Sequence, residues 1–389
     1  MSSRPTGRSP DLQRLRNEGY NIRVVAGHLV VRDIPYVNAQ RQVRSGIFVM
    51  PLTLNDDVAQ RPGDHVMHWA GEYPCRSDGT PITGIQNQNQ TQELVPGLAT
   101  QYAFSNKPPE GYPDYYEKVK RYADIIGNPA KAIDPTATPC TFAFVEAEAD
   151  DGPFVYEDTA SSRAGIAAVT AKLRGQRIAI LGLGGTGSYV LDYTSMTSVD
   201  EIHLFDGDDY LQHNAFRAPG PTAPDALKSR KNKADHWAQT YGVMRRGVVP
   251  HPYHVDERSL GELDKFSYVF VCMDKGDAKR AVMTRLRGLG IPFIDVGMGL
   301  EMSDGTVAGV LRVTTSATRT DHVTKRIPLG DAEDGLYARN IQVAELNALN
   351  AALAVVKWKK LCGFYRDLEH EHHSTFTLDG NAMTNEDTP

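Results

Sequence analysis

The run Ile178-Ala179-Ile180-Leu181 leads directly into Gly182-Leu183-Gly184-Gly185-Thr186-Gly187. A short unbroken apolar run bounded by turn residues reads as a strand buried on both faces. The G-x-G-x-x-G that follows it opens a helix. Glycine at these places allows a tight turn, close approach of backbone to a phosphate, and close packing of helix on strand. The free N–H groups of the first helical turn then favour an anion. The pattern predicts a nucleotide-binding unit. The downstream sequence keeps the same rhythm: "EIHLFD" reads as a strand, "KNKADHWAQTYGVM" as a helix, and "VVPHPYHV" and "SYVFVCMD" as strands. "AKRAVMTRLRGLG" is helical and closes on glycine, and "IPFIDVGMG" is a further strand. Such alternation implies right-handed crossovers and a Rossmann-like α/β fold, its mostly parallel sheet flanked by helices. "TVAGVLRVTT" extends the sheet antiparallel, and Leu346, Leu349, Leu353 and Val356 recur at helical spacing in a long amphipathic helix.

The first 150 or so residues have a different texture. Short strand-like runs such as "HLVVRDIPYV" and "DHVMHWAGEYP" are broken by turn residues, and one helix is expected at "DYYEKVKRYADIIG". We therefore expect a strand-rich α+β domain at 1–150 and a nucleotide-binding domain at 151–389, with the acidic stretch 146–162 as linker or extended arm. With a net charge of −6 and no basic block, neither nucleic acid nor an anionic membrane is an expected partner. No run approaches the ~18 apolar residues of a membrane span, and the N-terminus lacks a secretory apolar core. The 4 cysteines form no C-x-x-C pair, so neither a zinc site nor a disulfide framework is expected and a reducing cytoplasm fits.

The glycine loop alone fits a nicotinamide oxidoreductase equally well. Asp206 stands at the end of the second strand, where an acidic residue meets a ribose hydroxyl. The next residues, "DGDDYLQHNAFRAPG", place Asn214 and Arg217 three apart. A dinucleotide site has no use for this pair. A site that cleaves ATP between its α- and β-phosphates does, because charge developing on pyrophosphate must meet fixed donors. Lys233 adds a point charge from the start of the next helix. Asp274, at the C-terminal edge of the fourth strand, is placed to hold Mg²⁺ beside the triphosphate.

This set resembles the ThiF/MoeB/HesA-type adenylyltransferases, the superfamily that includes ubiquitin-activating enzymes. The resemblance covers 163–364 and rests on "RIAILGLGGTGS", "LFDGDDYLQHNAFR", "KNKA", "VCMDKGD" and "IPFIDVGMG". It implies that Gly182, Gly184, Gly185, Thr186, Gly187, Asp206 and Asp208 hold the nucleotide. Asn214, Arg217 and Lys233 are implied to contact the phosphates, and Asp274 the metal. Arg163 is the nearest match to an arginine that the family takes from a partner subunit. Ala218 stands where the family commonly has glutamine. The implied activity is ATP-dependent adenylation of the C-terminal carboxylate of a ubiquitin-like protein with a glycine-ended tail, by a homodimer, with ATP and Mg²⁺. A conjugating-enzyme-like protein is a further implied partner, and the pathway is bacterial conjugation or sulfur transfer. The N-terminal part is similar to the domain that precedes ThiF-type domains in some bacterial ubiquitin-like operons, which implies partner handling. A nicotinamide-dependent oxidoreductase and a non-catalytic nucleotide-binding scaffold are the competing readings.

Many relatives that pass on the activated protein use a nucleophilic cysteine, yet no cysteine lies between Asp295 and Leu361. Cys272 reads as a core residue and Cys362 as a packed thiol, while Cys75, in a turn-like loop, is the one candidate for reactivity. "RVTTSATRTDHVTKR" reads as a solvated loop; its sharper reading makes Ser316 a hydroxyl acceptor with His322 nearby. "HEHH" at 370–373 reads as a polar surface turn, and His65, His68 and Cys75 as separately satisfied side chains.

Overall fold

The computed structural model describes residues 4–147, 152–274, 276–317, 322–329 and 341–388. Two compact units emerge: 1–151 with 156–166, and 152–155 with 167–389. The boundary thus differs from a single cut at 150. Glu146 pairs with Tyr156 as an isolated bridge, which returns 156–166 to the first unit, while Phe154 bridges Arg245 in the second.

The first unit is a six-stranded antiparallel sheet in the spatial order Asn21–Val25, His28–Val37, Val43–Pro51, Val66–Ala70, Tyr102–Ser105, Gln86–Gln88. Trp69 is its buried centre and lies edge-on to Tyr36 at 5.1 Å. The helix Tyr115–Ile133 covers the sheet, started by the Asp114 carboxylate, which accepts from Glu117 N at 2.8 Å. It runs beyond the expected end at Gly127, because Ile126 and Ala130 continue its buried face.

The second unit carries an eight-stranded sheet. Its strands are β1 (Arg177–Leu181), β2 (Glu201–Phe205), β3 (Val248–His251), β4 (Tyr268–Val271), β5 (Phe293–Ser303), β6 (Thr306–Ser316), β7 (His373–Thr377) and β8 (Ala382–Glu386). The order is β3-β2-β1-β4-β5-β6-β7-β8. The first five strands are parallel and the last three antiparallel. The strand order reverses direction between β1 and β4, and open sheets of this kind bind ligands at the C-terminal ends of the strands at such a switch point.

Both faces of the parallel part are covered, as its apolar strands require. Ile178 and Ile180 point into one core with α1 (Gly185–Ser195), α2 (Lys233–Gly242) and α4 (Ala344–Leu361). Ala179 and Leu181 point into another with α3 (Asp277–Leu289). Among the described residues, no helix is long and apolar enough to cross a membrane.

The inner face of α4 departs in part from the expected stripe. Leu346 is buried and Leu353 packs against the core, but Asn347, Asn350, Ala351, Ala354 and Trp358 are buried beside them, whereas Val356 is exposed. The cause is close approach: a Cβ on Gly185 of α1 would overlap the Asn347 amide, so small and polar residues take the contact. At the far end of α1, Arg245 is buried and donates to the carbonyls of Val199 (2.5 Å), Thr194 (3.3 Å) and Thr197 (3.3 Å). This cation satisfies carbonyls that a helix C-terminus leaves open.

Candidate functional site

Three glycines shape the turn between β1 and α1 in different ways. Gly182 has φ +89°, a left-handed conformation that favours glycine, and a Cβ there would sit 2.7 Å from Cys272 O. A Cβ on Gly187 would overlap the Gly182 carbonyl. Gly184 is different: a Cβ there would meet no atom within 4 Å. Gly182 and Gly187 are required by the chain's own packing, and Gly184 is not. No side chain caps the N-terminus of α1. The first-turn amides and the open face at Gly184 together form a concave set of uncapped donors, an arrangement that suits an anion.

Asp206 directly follows β2 and is 7% exposed. Its Oδ2 accepts from Leu183 N in the glycine loop at 2.7 Å, and its Oδ1 accepts from Asp208 N at 2.9 Å. It therefore fixes the loop as well as bordering it. Asp208 is more open. Its Oδ2 accepts from Lys233 Nζ at 2.6 Å, and this hydrogen bond holds the Asp208 carboxyl below the usual range. Lys233 Nζ also lies 3.6 Å from Asp206 Oδ1. Lys233 is placed by Asn232, whose oxygen caps α2 at Ala234 N and whose NH₂ donates to Asp206 O at 2.9 Å. His254 was not singled out from the sequence. Its ring covers Gly207, leaving no room for a Cβ, and its Nε2 lies 3.5 Å from Asp208 Oδ1.

Asn214 is buried in the short helix Gln212–Ala215, and its Oδ1 accepts from Leu211 N at 2.8 Å. Arg217 N donates to Asn214 O at 3.1 Å. Among the described residues, Arg217 Nε is buried without a hydrogen-bond partner.

Asn347 links this segment to the glycine loop. Its Oδ1 accepts from Thr186 Oγ1 at 3.2 Å, and its Nδ2 donates to Arg217 O at 3.1 Å. The available signal was polar residues at i and i+3, Asn347 and Asn350, within the otherwise apolar "AELNALNAALAVV". Hydrophobic periodicity draws attention away from such positions.

Asp274 is exposed and lies three residues beyond β4. The Cys272–Met273 backbone before it runs against Gly182. Behind it, Lys279 of α3 donates to Met273 O at 3.4 Å and pairs with the buried Asp295 carboxylate at 2.5 Å. Arg312 closes the other side of Asp295 at 2.6 Å. Arg163 belongs to the first unit, where its Nη2 donates to Asn17 O at 3.0 Å and its guanidinium lies 5.1 Å from the Phe142 ring centre. Its contacts are therefore separate from those of the phosphate set. Among the described residues, no three His, Cys, Asp or Glu side chains converge as metal ligands.

Burial pushes all 4 thiols up, that of Cys272 most. Cys75 is buried, with its N–H donating to Val37 O at 2.7 Å, so its turn is packed and the thiol enclosed. Part of the Thr/Ser stretch is the end of β6 and not a solvated loop. Ser316 is 2% exposed there because it pairs with buried Phe293, and residues 318–321 lie outside the described set. His322 is equally buried, with its ring Nε2 2.8 Å from Thr315 O. The expected surface turn at 370–373 is also largely inside. Glu371, His372 and His373 are buried, because Glu371 pairs with Lys360 at 3.1 Å and His373 begins β7.

Residues 158–382 match the profile of the ThiF family. The chain belongs to the ThiF family. The ThiF domain is an ATP-binding adenylyltransferase domain, which sets aside the oxidoreductase reading that the glycine loop left open. Residues 10–159 match a domain of unknown function (DUF6791). No curated protein matches the chain significantly. Among solved structures, PaaA is similar at 17% identity and a TM-score of 0.44, over 56% of this chain and 75% of that one. E. coli MccB with ATP is similar at 18% identity and a TM-score of 0.43, over 59% and 69%. The microcin C7 biosynthetic enzyme MccB in complex with N-formylated MccA gives 16% and 0.43, over 59% and 70%.

Proposed function

We propose that the ThiF domain adenylates the C-terminal carboxylate of a ubiquitin-like protein and releases pyrophosphate. The observation that carries this reading is the open glycine loop bordered by Asp206, Asp208 and Lys233, with the Arg217 backbone joined to that loop through Asn347. A carboxylate is a poor electrophile because its leaving group would be oxide. Attack by a carboxylate oxygen on the α-phosphorus of ATP forms a P–O bond, and the bond from the α-phosphorus to the bridging oxygen of the β-phosphate breaks. The products are an acyl adenylate and pyrophosphate, and no proton is transferred.

The chain's residues position the reactants and meet the developing charge. The Gly184 cradle holds phosphate oxygens. Asp208, more open than Asp206, accepts from the ribose. Lys233 stands between these carboxylates and the phosphates. Asn214 has its oxygen engaged with Leu211 N, so its NH₂ is the group it has left for a phosphate. Arg217 takes the leaving pyrophosphate. A bound magnesium ion supplies charge neutralisation among phosphate oxygens. The exposed Asp274 carboxylate fits it, because such ions bind through one or two carboxylates plus substrate phosphates and keep several waters. The first unit is proposed to handle the protein partner, with Arg163 reaching a second copy of the chain in a homodimer and a conjugating-enzyme-like protein as acceptor, in the cytoplasm.

Asp274→Asn keeps shape but loses the charge that attracts a hard cation. The Mg²⁺ concentration for half-maximal pyrophosphate exchange is expected to rise about tenfold, the equivalent of ~1.4 kcal/mol. An unchanged Mg²⁺ titration rejects the ligand assignment.

Replacing all 4 cysteines by alanine is expected to leave pyrophosphate exchange within about threefold of wild type, since adenylation uses no thiol. Stability falls through lost packing at the buried Cys75 and the half-buried Cys272. Intact mass of enzyme incubated with ATP and its protein substrate provides the companion check. A thioester adduct sensitive to reductant would assign a nucleophilic role to one of these thiols.

A further inference from the structure

Two parts of the proposed site have different tasks. The glycine loop grips ATP in the ground state, whereas Arg217 meets charge that appears only as pyrophosphate leaves. They come from separate segments, and the described hydrogen bonds that join them pass through one side chain. Asn347 is fully buried on α4, accepts from Thr186 Oγ1 with one end of its amide, and donates to Arg217 O with the other. Asn350, one turn further along, donates to Gly297 O of β5 at 3.1 Å and ties the same helix face to the sheet. A Cβ on Gly185 would overlap the Asn347 amide, so the amide also rests directly on the loop.

We propose that Asn347 is a positioning residue that sets Arg217 at the correct place relative to the loop-bound triphosphate, through the Arg217 backbone carbonyl. The inference rests on the adenylation reading. The geometry is suited to the task because the amide offers one acceptor and one donor in a fixed plane. Losing the donor releases the 217 backbone while leaving the phosphate cradle in place. The loss therefore acts on the chemical step and not on ATP affinity.

The test is steady-state pyrophosphate exchange by the full chain. If the wild-type protein shows no carboxylate-dependent exchange with any glycine-ended peptide, the adenylation reading itself fails, whatever the variants do. Given exchange, Asn347→Asp keeps the volume and the acceptor for Thr186 but sets an oxygen against Arg217 O. Its kcat is expected to fall about 30-fold, within the ~10²-fold that a 1 Å misplacement can cost. Its KM for ATP should stay within about twofold of wild type.

In an Arg217→Ala background, assayed at the roughly 10²–10³-fold higher enzyme concentration that its residual rate requires, the same substitution should lower kcat by less than about threefold, since the group being positioned is already gone. Thr186→Val opens the other end of the link without adding charge. It should lower kcat about tenfold in wild type and less than about threefold in the Arg217→Ala background, and it serves if Asn347→Asp does not fold. Equal losses with and without Arg217, or a lowered unfolding midpoint at unchanged kcat, would reduce Asn347 to a packing residue and overturn the proposal.

Discussion

Arg217→Ala is expected to abolish measurable carboxylate-dependent ATP–pyrophosphate exchange at ordinary enzyme concentrations. Removing one preorganised donor from a developing anion costs roughly 3 kcal/mol, or 10²–10³ in kcat. The loss should appear in kcat more than in the KM for ATP, because the donor acts on charge that appears in the transition state. Folding should survive. The link from Asn347 Nδ2 reaches the backbone carbonyl of residue 217, which alanine keeps, and the buried Arg217 Nε has no partner to leave behind. Arg217→Lys should recover part of the rate, since it restores the charge without the planar fork. An unfolding midpoint near wild type with exchange lost is the predicted pair. Near wild-type exchange in the alanine variant removes Arg217 from the site.

Alanine at Gly184 and alanine at Gly187 are expected to fail in opposite ways. At Gly184 the backbone has φ −67°, which any residue adopts, and a methyl group would meet no atom of the chain within 4 Å. The fold should tolerate Gly184→Ala, with stability unchanged or raised by about 0.5 kcal/mol through the less flexible unfolded chain. ATP binding, measured by calorimetry, should weaken at least about tenfold, because the methyl group occupies the space into which phosphate oxygens must come. At Gly187 a Cβ would overlap Gly182 O and lie 3.2 Å from Cys272 Cβ, so the loop and the end of β4 must both move. Gly187→Ala should cost about 3 kcal/mol of stability, the upper part of the range for overpacked positions. Gly184→Ala with wild-type ATP affinity would show that the open face of the loop is not where the triphosphate lies.

The parallel part of the second unit was legible because its signals are local. Unbroken apolar runs such as "RIAIL" can be satisfied only by burial on both faces, and Gly290, left-handed at φ +68°, closes α3 where the sequence ends its helix in glycine. As candidates, the glycine loop, Asp206, Asp208, Lys233 and the Asn214–Arg217 pair were legible because polar residues cluster just after β2, around the short helix Gln212–Ala215 and at the start of α2. Features held by distant partners were hidden. Asn347 looks like a flaw in a leucine stripe until Gly185 is seen against it, 162 positions earlier in the chain. Ser316 and His373 look like surface residues until Ser316 is seen paired with Phe293 of β5 and His373 with Thr314 of β6. The return of 156–166 to the first unit rests on distant partners, the bridge between Glu146 and Tyr156, the ion pair of Glu157 with Arg16 and the hydrogen bonds of Ser162 and Arg163 to Asn17, and local composition contains no signal for them.

The central claim is that the domain uses ATP to activate a C-terminal carboxylate. Its most direct test is incorporation of radiolabelled pyrophosphate into ATP by the purified full chain, with and without a peptide ending in glycine. The account predicts exchange that depends on the peptide, requires Mg²⁺, and disappears when the peptide's C-terminal carboxylate is converted to the amide. Exchange that is absent with every free-carboxylate peptide and protein tail tried, or that proceeds equally well with the amide, would contradict it.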